Sequence, residues 1–212
     1  MKKDYTHVAM VIDRSGSMSS SWNDVKGGYA QFINDQKSQP GKCTFTLTVF
    51  DHEIDSLEDF TDIQSVSPNL SVSPRGSTAL LDAIGRTVVK VGESLAKMDE
   101  NERPEKVLVI IQTDGFENAS LEFTNQSVKD LIKEQEDKYK WEFSFIGASL
   151  QSVAQAQTFG FKAANSAFYN QSNSKNLMAN VSMKTSAYRS AGAGAASFDF
   201  TEDERESLAK EA

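Results

Sequence analysis

The chain has 212 residues, of which 39% are hydrophobic and 25% charged, a composition typical of a single globular domain. Its formal net charge is −8 and its basic residues are scattered, which argues against nucleic-acid and membrane-surface binding. Cys43 is the only cysteine, the charged N-terminus does not resemble a signal peptide, and no apolar run approaches the roughly 18 residues of a membrane span. These features predict a cytoplasmic protein.

Apolar patterns along the chain predict alternating strands and helices. Strands are expected at 8–12, 44–50, 107–111, 141–147 and 166–169, with a charged edge strand at 53–60. Helices are expected after residue 21, from Thr78 onwards, and at 121–136, 151–158 and 175–188. In the strand at 44–50 the threonines alternate with apolar residues, which predicts a partly solvated face.

This alternation predicts an α/β fold, Rossmann-like and doubly wound, with a mostly parallel central sheet and one antiparallel edge strand. We assign residues 1–190 to this domain. Residues 191–212 are interpreted as a small-residue linker and a charged C-terminal tail. Thr201 and Glu204 form a plausible helix start within that tail.

Oxygen-bearing side chains follow the two most apolar strands. Asp13 and Asp114 each come directly after or close behind such a strand, and the hydroxyls of Ser15 and Ser17 follow Asp13. Thr78 stands at the predicted start of the intervening helix. If both strands are central and parallel, their carboxyl ends and that helix start share one edge of the sheet. Carboxylate and hydroxyl oxygens are hard ligands that suit Mg²⁺, Mn²⁺ or Ca²⁺.

The pattern therefore predicts one metal site with five ligands, listed in chain order: Asp13, Ser15, Ser17, Thr78 and Asp114. Two carboxylates would just neutralise a divalent cation and leave it able to accept a carboxylate from outside. Each residue taken alone has a simpler explanation. Asp13 and the serines could cap a turn, Thr78 could cap a helix, and Asp114 could be a turn residue.

Taken together, the D-x-S-x-S of residues 13–17, the Thr of Gly76-Ser77-Thr78 and the Asp of Thr113-Asp114-Gly115 resemble the metal-ion-dependent adhesion site of von Willebrand factor type A (VWA) domains. The resemblance covers about residues 5–170. Residues 113–118 further resemble small stand-alone bacterial or phage members of that family.

The resemblance also implies roles for the five residues. Ser15 and Ser17 would bind the metal directly, Thr78 and Asp114 would alternate between direct and water-mediated contact, and Asp13 would act through water or through the serines. It implies a protein-interaction module, not an enzyme, in which a divalent cation, foremost Mg²⁺, captures an acidic side chain of a partner protein.

Two other functions stay open. A Mg²⁺-dependent hydrolase or phosphatase could use Asp13 as its nucleophile, although the haloacid-dehalogenase-like pattern needs a second Asp where this chain has Ser15. The second open function is that of a structural component whose metal site is vestigial.

The remaining polar residues near the strand ends are expected to play general roles. Asp51 is interpreted as exposed, and Glu117 and Asn118 as ordinary loop residues. Asp82, one helical turn after Thr78, could face the site, but is interpreted as a solvated group or one that supports the site from behind. The histidines are isolated, and neither suggests a zinc site or a catalytic triad.

Overall fold

One central sheet organises the protein. The structure is a computed structural model that describes residues 1–169, 174–192, 194–195 and 197–209, without the side chains of 174–176. Within these residues six strands pair in the order β3-β2-β1-β4-β5-β6, and every neighbouring pair is parallel except β2 and β3. The strands are β1 (Lys2–Asp13), β2 (Lys42–Phe50), β3 (Ile54–Asp62), β4 (Pro104–Thr113), β5 (Glu142–Gly147) and β6 (Ser166–Phe168).

Helices cover both faces of this sheet. They are α1 (Trp22–Lys37), α2 (Leu80–Ala96), α3 (Asn125–Tyr139), α4 (Leu150–Thr158), α5 (Ser174–Ser190) and α6 (Glu202–Ala209). Helices α1, α5 and α6 contribute to the core on one face, and α2, α3 and α4 to the core on the other. The predicted α/β fold class is thereby confirmed. Across the described ranges, no helix has both the length and the apolar character needed to cross a membrane.

The central position of β1 and β4 follows from their composition. Residues 8–12 and 107–111 are apolar throughout and all of them are buried. Alternate side chains of each strand enter the two cores, so a polar residue on either face would lose its hydration. Strands of this kind belong in the middle of a sheet that is covered on both sides.

The prediction of a partly solvated face on β2 is wrong. Thr44, Thr46 and Thr48 are all buried, because this face lies under α2 and beside β3. Their hydroxyls are used internally: Thr48 accepts a hydrogen bond of 2.8 Å from Thr87 of α2, and Thr46 accepts one of 3.2 Å from the Phe60 amide. Threonine suits a strand covered by a helix as long as each hydroxyl finds a partner.

The segment after α5 packs onto the domain. Phe198, Phe200 and Leu208 are buried within the same core as α1 and α5. The predicted helix start forms a reciprocal pair, in which the Thr201 amide donates to the Glu204 carboxylate at 2.7 Å and the Glu204 amide donates to the Thr201 hydroxyl at 3.2 Å. Residues 193, 196 and 210–212 of the predicted linker and tail lie outside the described residues.

Phe198→Ala tests whether this segment is part of the folded domain. Removing a fully buried phenylalanine ring should lower the free energy of unfolding by about 3–5 kcal/mol, measured by urea denaturation. Met183→Ala is the matched control, since that side chain is 59% exposed on α5 and its truncation should cost less than about 0.5 kcal/mol. Equal stability of Phe198→Ala and the wild type would show that the segment beyond residue 190 contributes nothing to the core.

Candidate metal centre

The predicted ligands meet where the direction of chain winding reverses. From β1 the sheet extends through β2 and β3 on one side and through β4, β5 and β6 on the other. Asp13 is the last residue of β1, and Asp114 directly follows the last residue of β4. In open α/β sheets, ligands bind in the crevice outside the carboxyl ends of two such strands. The sheet order therefore brings together two acids from distant parts of the chain.

The Asp13 carboxylate lies at the bottom of this crevice. It is fully buried; its Oδ1 accepts a 2.6 Å hydrogen bond from the Ser15 amide and its Oδ2 one of 2.5 Å from the Thr113 hydroxyl. Burial raises the pKa of Asp13 from 3.8 to about 6, although these hydrogen bonds act in the opposite direction. The neighbouring Arg14 guanidinium points elsewhere, with nitrogens 2.9 Å from Asp51 and 2.6 Å from Asp55. A cation bound beside Asp13 would offset the cost of burying its charge.

The hydroxyls of Ser15 and Ser17 connect Asp13 to Asp114 across the crevice. Their Oγ atoms are 3.0 Å apart, and Ser17 donates a 2.6 Å hydrogen bond to the Asp114 carboxylate. Ser15 is buried whereas Ser17 is exposed, so this row of oxygens leads from the protein interior to the surface. Burial also raises the pKa of Asp114, and the hydrogen bond from Ser17 counteracts it.

Thr78 comes from a different loop and is not the start of a helix, because α2 begins at Leu80. Its backbone is held by Asn118, whose side-chain oxygen accepts a 2.9 Å hydrogen bond from the Thr78 amide and whose amide donates to the Thr78 carbonyl at 3.1 Å. A Cβ added to Gly115 would lie 3.0 Å from the Thr78 hydroxyl and 3.5 Å from Asp13 Oδ2. The absence of a side chain at Gly115 thus lets the hydroxyl and the carboxylate approach the same place.

This donor set fits a divalent cation. Two carboxylates and three hydroxyls converge at one edge of the sheet, and all are hard oxygen donors of the kind that Mg²⁺ and Ca²⁺ prefer. In octahedral Mg²⁺ coordination, neighbouring ligand oxygens lie about 2.9 Å apart. The 3.0 Å between the Oγ atoms of Ser15 and Ser17 matches that spacing.

Glu117 and Asn118 are more than the ordinary loop residues that were predicted. The Glu117 carboxylate accepts hydrogen bonds from the amides of Leu81, Ala119 and Ser120 at 2.7–2.9 Å, and so fixes the loop that carries Asn118 to the first turn of α2. The signal that could have identified them is the run of residues 113–118, in which four side chains can accept or donate a hydrogen bond: Thr113, Asp114, Glu117 and Asn118.

The prediction that Asp51 is exposed is wrong. Its carboxylate has no exposed surface and lies 2.9 Å from the Nε of both Arg14 and Arg75. Burial alone would raise the pKa of Asp51, but the Glu53 amide and the two guanidinium groups outweigh burial and lower it. The Asp51 carbonyl also accepts a 2.8 Å hydrogen bond from the Ala79 amide, next to Thr78.

Asp51 also belongs to a second cluster that could hold a metal, with its neighbours His52 and Glu53. The ligand atoms of the three residues lie within 4.8 Å of one another. Both carboxylates are already paired with arginines, Asp51 with Arg14 and Arg75, and Glu53 with Arg75. We therefore interpret this cluster as the support of the loops that carry Ser15 and Thr78.

Asp82 was interpreted as either a solvated group or one that supports the site, and its burial excludes the solvated alternative. It is 5% exposed, and its carboxylate accepts three backbone hydrogen bonds of 2.8–3.0 Å, from residues 121–123. It therefore holds a neighbouring loop instead of facing the metal site. Sequence spacing placed it one helical turn after Thr78, but could not show which way the loop after β4 would fold.

Asp13→Asn tests the energetic cost of the buried carboxylate. The metal-free folded protein holds the Asp13 proton more tightly than the unfolded chain, so the cost is absent below pH 3.8 and grows as the pH rises to about 6. Once the carboxyl is fully ionised, the cost is about 3 kcal/mol. In EDTA, the stability advantage of Asp13→Asn over the wild type should therefore be larger at about pH 7 than at about pH 4 by roughly 2 kcal/mol, because a small part of the cost is already present at pH 4; urea denaturation measures it. An advantage that does not change with pH would contradict this assignment.

Comparison with known proteins agrees with this architecture. The model of the von Willebrand factor type A domain family matches residues 7–183, most of the chain. No curated protein matches the sequence.

Several solved structures share the fold at low sequence identity. The pilus adhesin SpaC from Lactobacillus rhamnosus GG has a TM-score of 0.67 and 13% identity over 88% of this chain and 30% of its own. The vWF domain of the type V pili tip protein Mfa5 from Porphyromonas gingivalis has a TM-score of 0.64 and 13% identity over 88% of this chain and 97% of its own. Proximal thread matrix protein 1 from the mussel byssus, in a structure with a zinc-occupied MIDAS motif, has a TM-score of 0.57 and 17% identity over 86% of this chain.

The chain spans less than half the length of several solved relatives. For the mussel protein the share is 46%. At such identities the likeness concerns the fold alone. The family match over residues 7–183, together with the sheet order, is sufficient for the assignment. The chain is a member of the von Willebrand factor type A domain family.

Proposed function

We propose that this VWA domain is a metal-dependent protein-interaction module. A divalent cation, foremost Mg²⁺, is held by the five residues that converge on the crevice: Asp13, Ser15, Ser17, Thr78 and Asp114. The observation that carries the proposal is the buried Asp13 carboxylate at the switch point, close to the Thr78 hydroxyl and with its neighbour Arg14 engaged elsewhere. Mn²⁺ or Ca²⁺ would suit the same oxygens.

The partner is a protein that presents an acidic side chain. Two carboxylates balance the charge of the cation, so the metal keeps enough positive character to accept a carboxylate from outside. The chain as a whole carries a net charge of −8, which repels acidic proteins at long range. Capture of an acidic residue should therefore depend on the cation. The pilus and adhesin proteins among the structural relatives support an interaction role.

Two further features support proposals about where the protein is located and which members of the family it resembles most. The single cysteine supports a cytoplasmic location. The run of residues 113–118 supports a place among the small stand-alone bacterial or phage members of the family.

The position of Asp13 speaks against the hydrolase alternative. A nucleophilic carboxylate must present an oxygen to the substrate. Asp13 has no exposed surface, and both of its oxygens accept hydrogen bonds from within the protein. It is placed to act on a bound cation through water or through the serines, not to attack a phosphoester.

Metal binding is the first test. Isothermal calorimetry with MgCl₂ should show a single site in the wild type, and Asp13→Ala and Thr78→Ala should each weaken it by about tenfold or more, as expected when a ligand is removed. Asp130→Ala is the control, because that carboxylate is exposed on α3 and is not one of the five proposed ligands. Unchanged Mg²⁺ affinity in both site variants would refute the ligand assignment.

Partner capture is the second test. A pull-down with the wild-type domain should recover a partner protein in Mg²⁺ and lose it in EDTA, and Asp13→Ala should fail to recover it in either buffer. Thermal unfolding of Asp13→Ala in EDTA verifies that the variant is folded. A partner retained equally in EDTA would favour a structural component with a vestigial metal site.

A further inference from the structure

The loop between β4 and α3, residues 114–124, has an unusually well-fixed backbone for a surface loop. At its centre the half-buried Glu117 carboxylate accepts hydrogen bonds from the amides of Leu81, Ala119 and Ser120 and from the Ser120 hydroxyl, all at 2.7–2.9 Å. One carboxylate thus closes a turn within the loop and fastens it to the first turn of α2. Charge-assisted hydrogen bonds of this kind are the strong ones.

A second carboxylate fixes the following residues. Asp82 of α2 accepts the amides of Leu121, Glu122 and Phe123 at 2.8–3.0 Å. The Glu122 side chain pairs with Arg86, also of α2. The carboxylates of Glu117, Asp82 and Glu122 are therefore all engaged in holding the loop against α2.

The same loop forms part of the rim of the proposed metal site. Asn118 binds the backbone of the ligand residue Thr78, and Phe116 lies two residues beyond Asp114. On the other side, the Glu117 amide donates a 3.3 Å hydrogen bond to Gln155 of α4. The loop therefore passes over the edge of the sheet between α2 and α4, beside the crevice.

Two large apolar side chains of this fixed loop are exposed. Leu121 is 95% exposed and Phe116 is 48% exposed, whereas the Glu117 carboxylate and the Ser120 hydroxyl between them hydrogen-bond within the loop. A leucine held in this way contributes no burial to the fold, and the anchored backbone prevents the loop from collapsing to cover it. Rigid presentation of apolar side chains beside a binding site lowers the entropic cost of using them in a contact.

We propose that Phe116 and Leu121 form an apolar rim that binds aliphatic or aromatic side chains flanking the acidic residue of the partner protein. This inference rests on the proposed function and specifies its partner: an extended segment in which an Asp or Glu has large apolar neighbours. Apolar neighbours fit better than basic ones, because the Glu117 carboxylate is already hydrogen-bonded to backbone amides and the Glu122 carboxylate is paired with Arg86. Neither carboxylate is therefore free to bind a basic residue of the partner. The acidic residue would be held by the metal, and its neighbours by the rim.

Synthetic peptides with one central Asp test the inference. One peptide carries Leu and Phe on either side of the Asp and the other carries Ser, and their binding in Mg²⁺ is compared by fluorescence polarisation. The wild type should bind the apolar-flanked peptide about tenfold more tightly, as expected for partial burial of two large side chains. In the double variant Phe116→Ser, Leu121→Ser this preference should vanish, while binding of the Ser-flanked peptide and Mg²⁺ affinity stay unchanged.

Leu57→Ser is the matched control, since Leu57 is also an exposed leucine but lies on the edge strand β3. It should keep the full preference for the apolar-flanked peptide. Two outcomes would overturn the apolar rim and leave the proposed function intact. In the first, the double variant keeps the preference for the apolar-flanked peptide. In the second, the wild type binds both peptides in Mg²⁺ but shows no preference between them. Loss of Mg²⁺ affinity in the double variant would also overturn it, because the loop would then support the metal instead of the partner. If neither peptide binds the wild type in Mg²⁺, the proposed function fails and the rim with it.

Discussion

A hydrogen bond between the Thr113 hydroxyl and the Asp13 carboxylate joins the ends of the two central strands across 100 residues of sequence. It exists because β1 and β4 are neighbours at the point where the winding of the sheet reverses. A carboxylate in this position is costly, since burial disfavours its charge. The surrounding loops reduce that cost by directing amides and hydroxyls at it, and in doing so they come together as a site.

The same use of carboxylates is repeated around the crevice. Asp51 supports the loops that carry Ser15 and Thr78, and Glu117 and Asp82 support the loop that follows Asp114. Each is wholly or partly buried and accepts hydrogen bonds from backbone amides or pairs with arginine. Loops held in this way are already ordered before a ligand arrives, so less conformational entropy is lost on binding.

At the edge of the sheet, the proposed metal site and the proposed apolar rim lie side by side. Around Asp13 the site is made of hard oxygens whose spacing suits a small cation. Beside it, the loop after β4 is held by internal hydrogen bonds of Glu117 and exposes Phe116 and Leu121. A cation provides strong but undiscriminating attraction for carboxylates, whereas apolar contacts depend on shape. Specificity for one partner would thus come mainly from the loop and not from the metal.

Much of this was accessible from the sequence, because it depended on local patterns. Unbroken apolar runs identified the central strands, their alternation with helices predicted the fold class, and the spacing of hydroxyls after Asp13 selected residues that the fold does bring to one edge. The role of these residues as ligands stays a prediction. The tertiary structure alone decided the surroundings: that Asp51 and Asp82 are buried, that Asn118 holds Thr78, and that Leu121 is exposed. The reason is physical, since whether a carboxylate is solvated or buried depends on which distant amides and guanidinium groups reach it, and no local pattern records that.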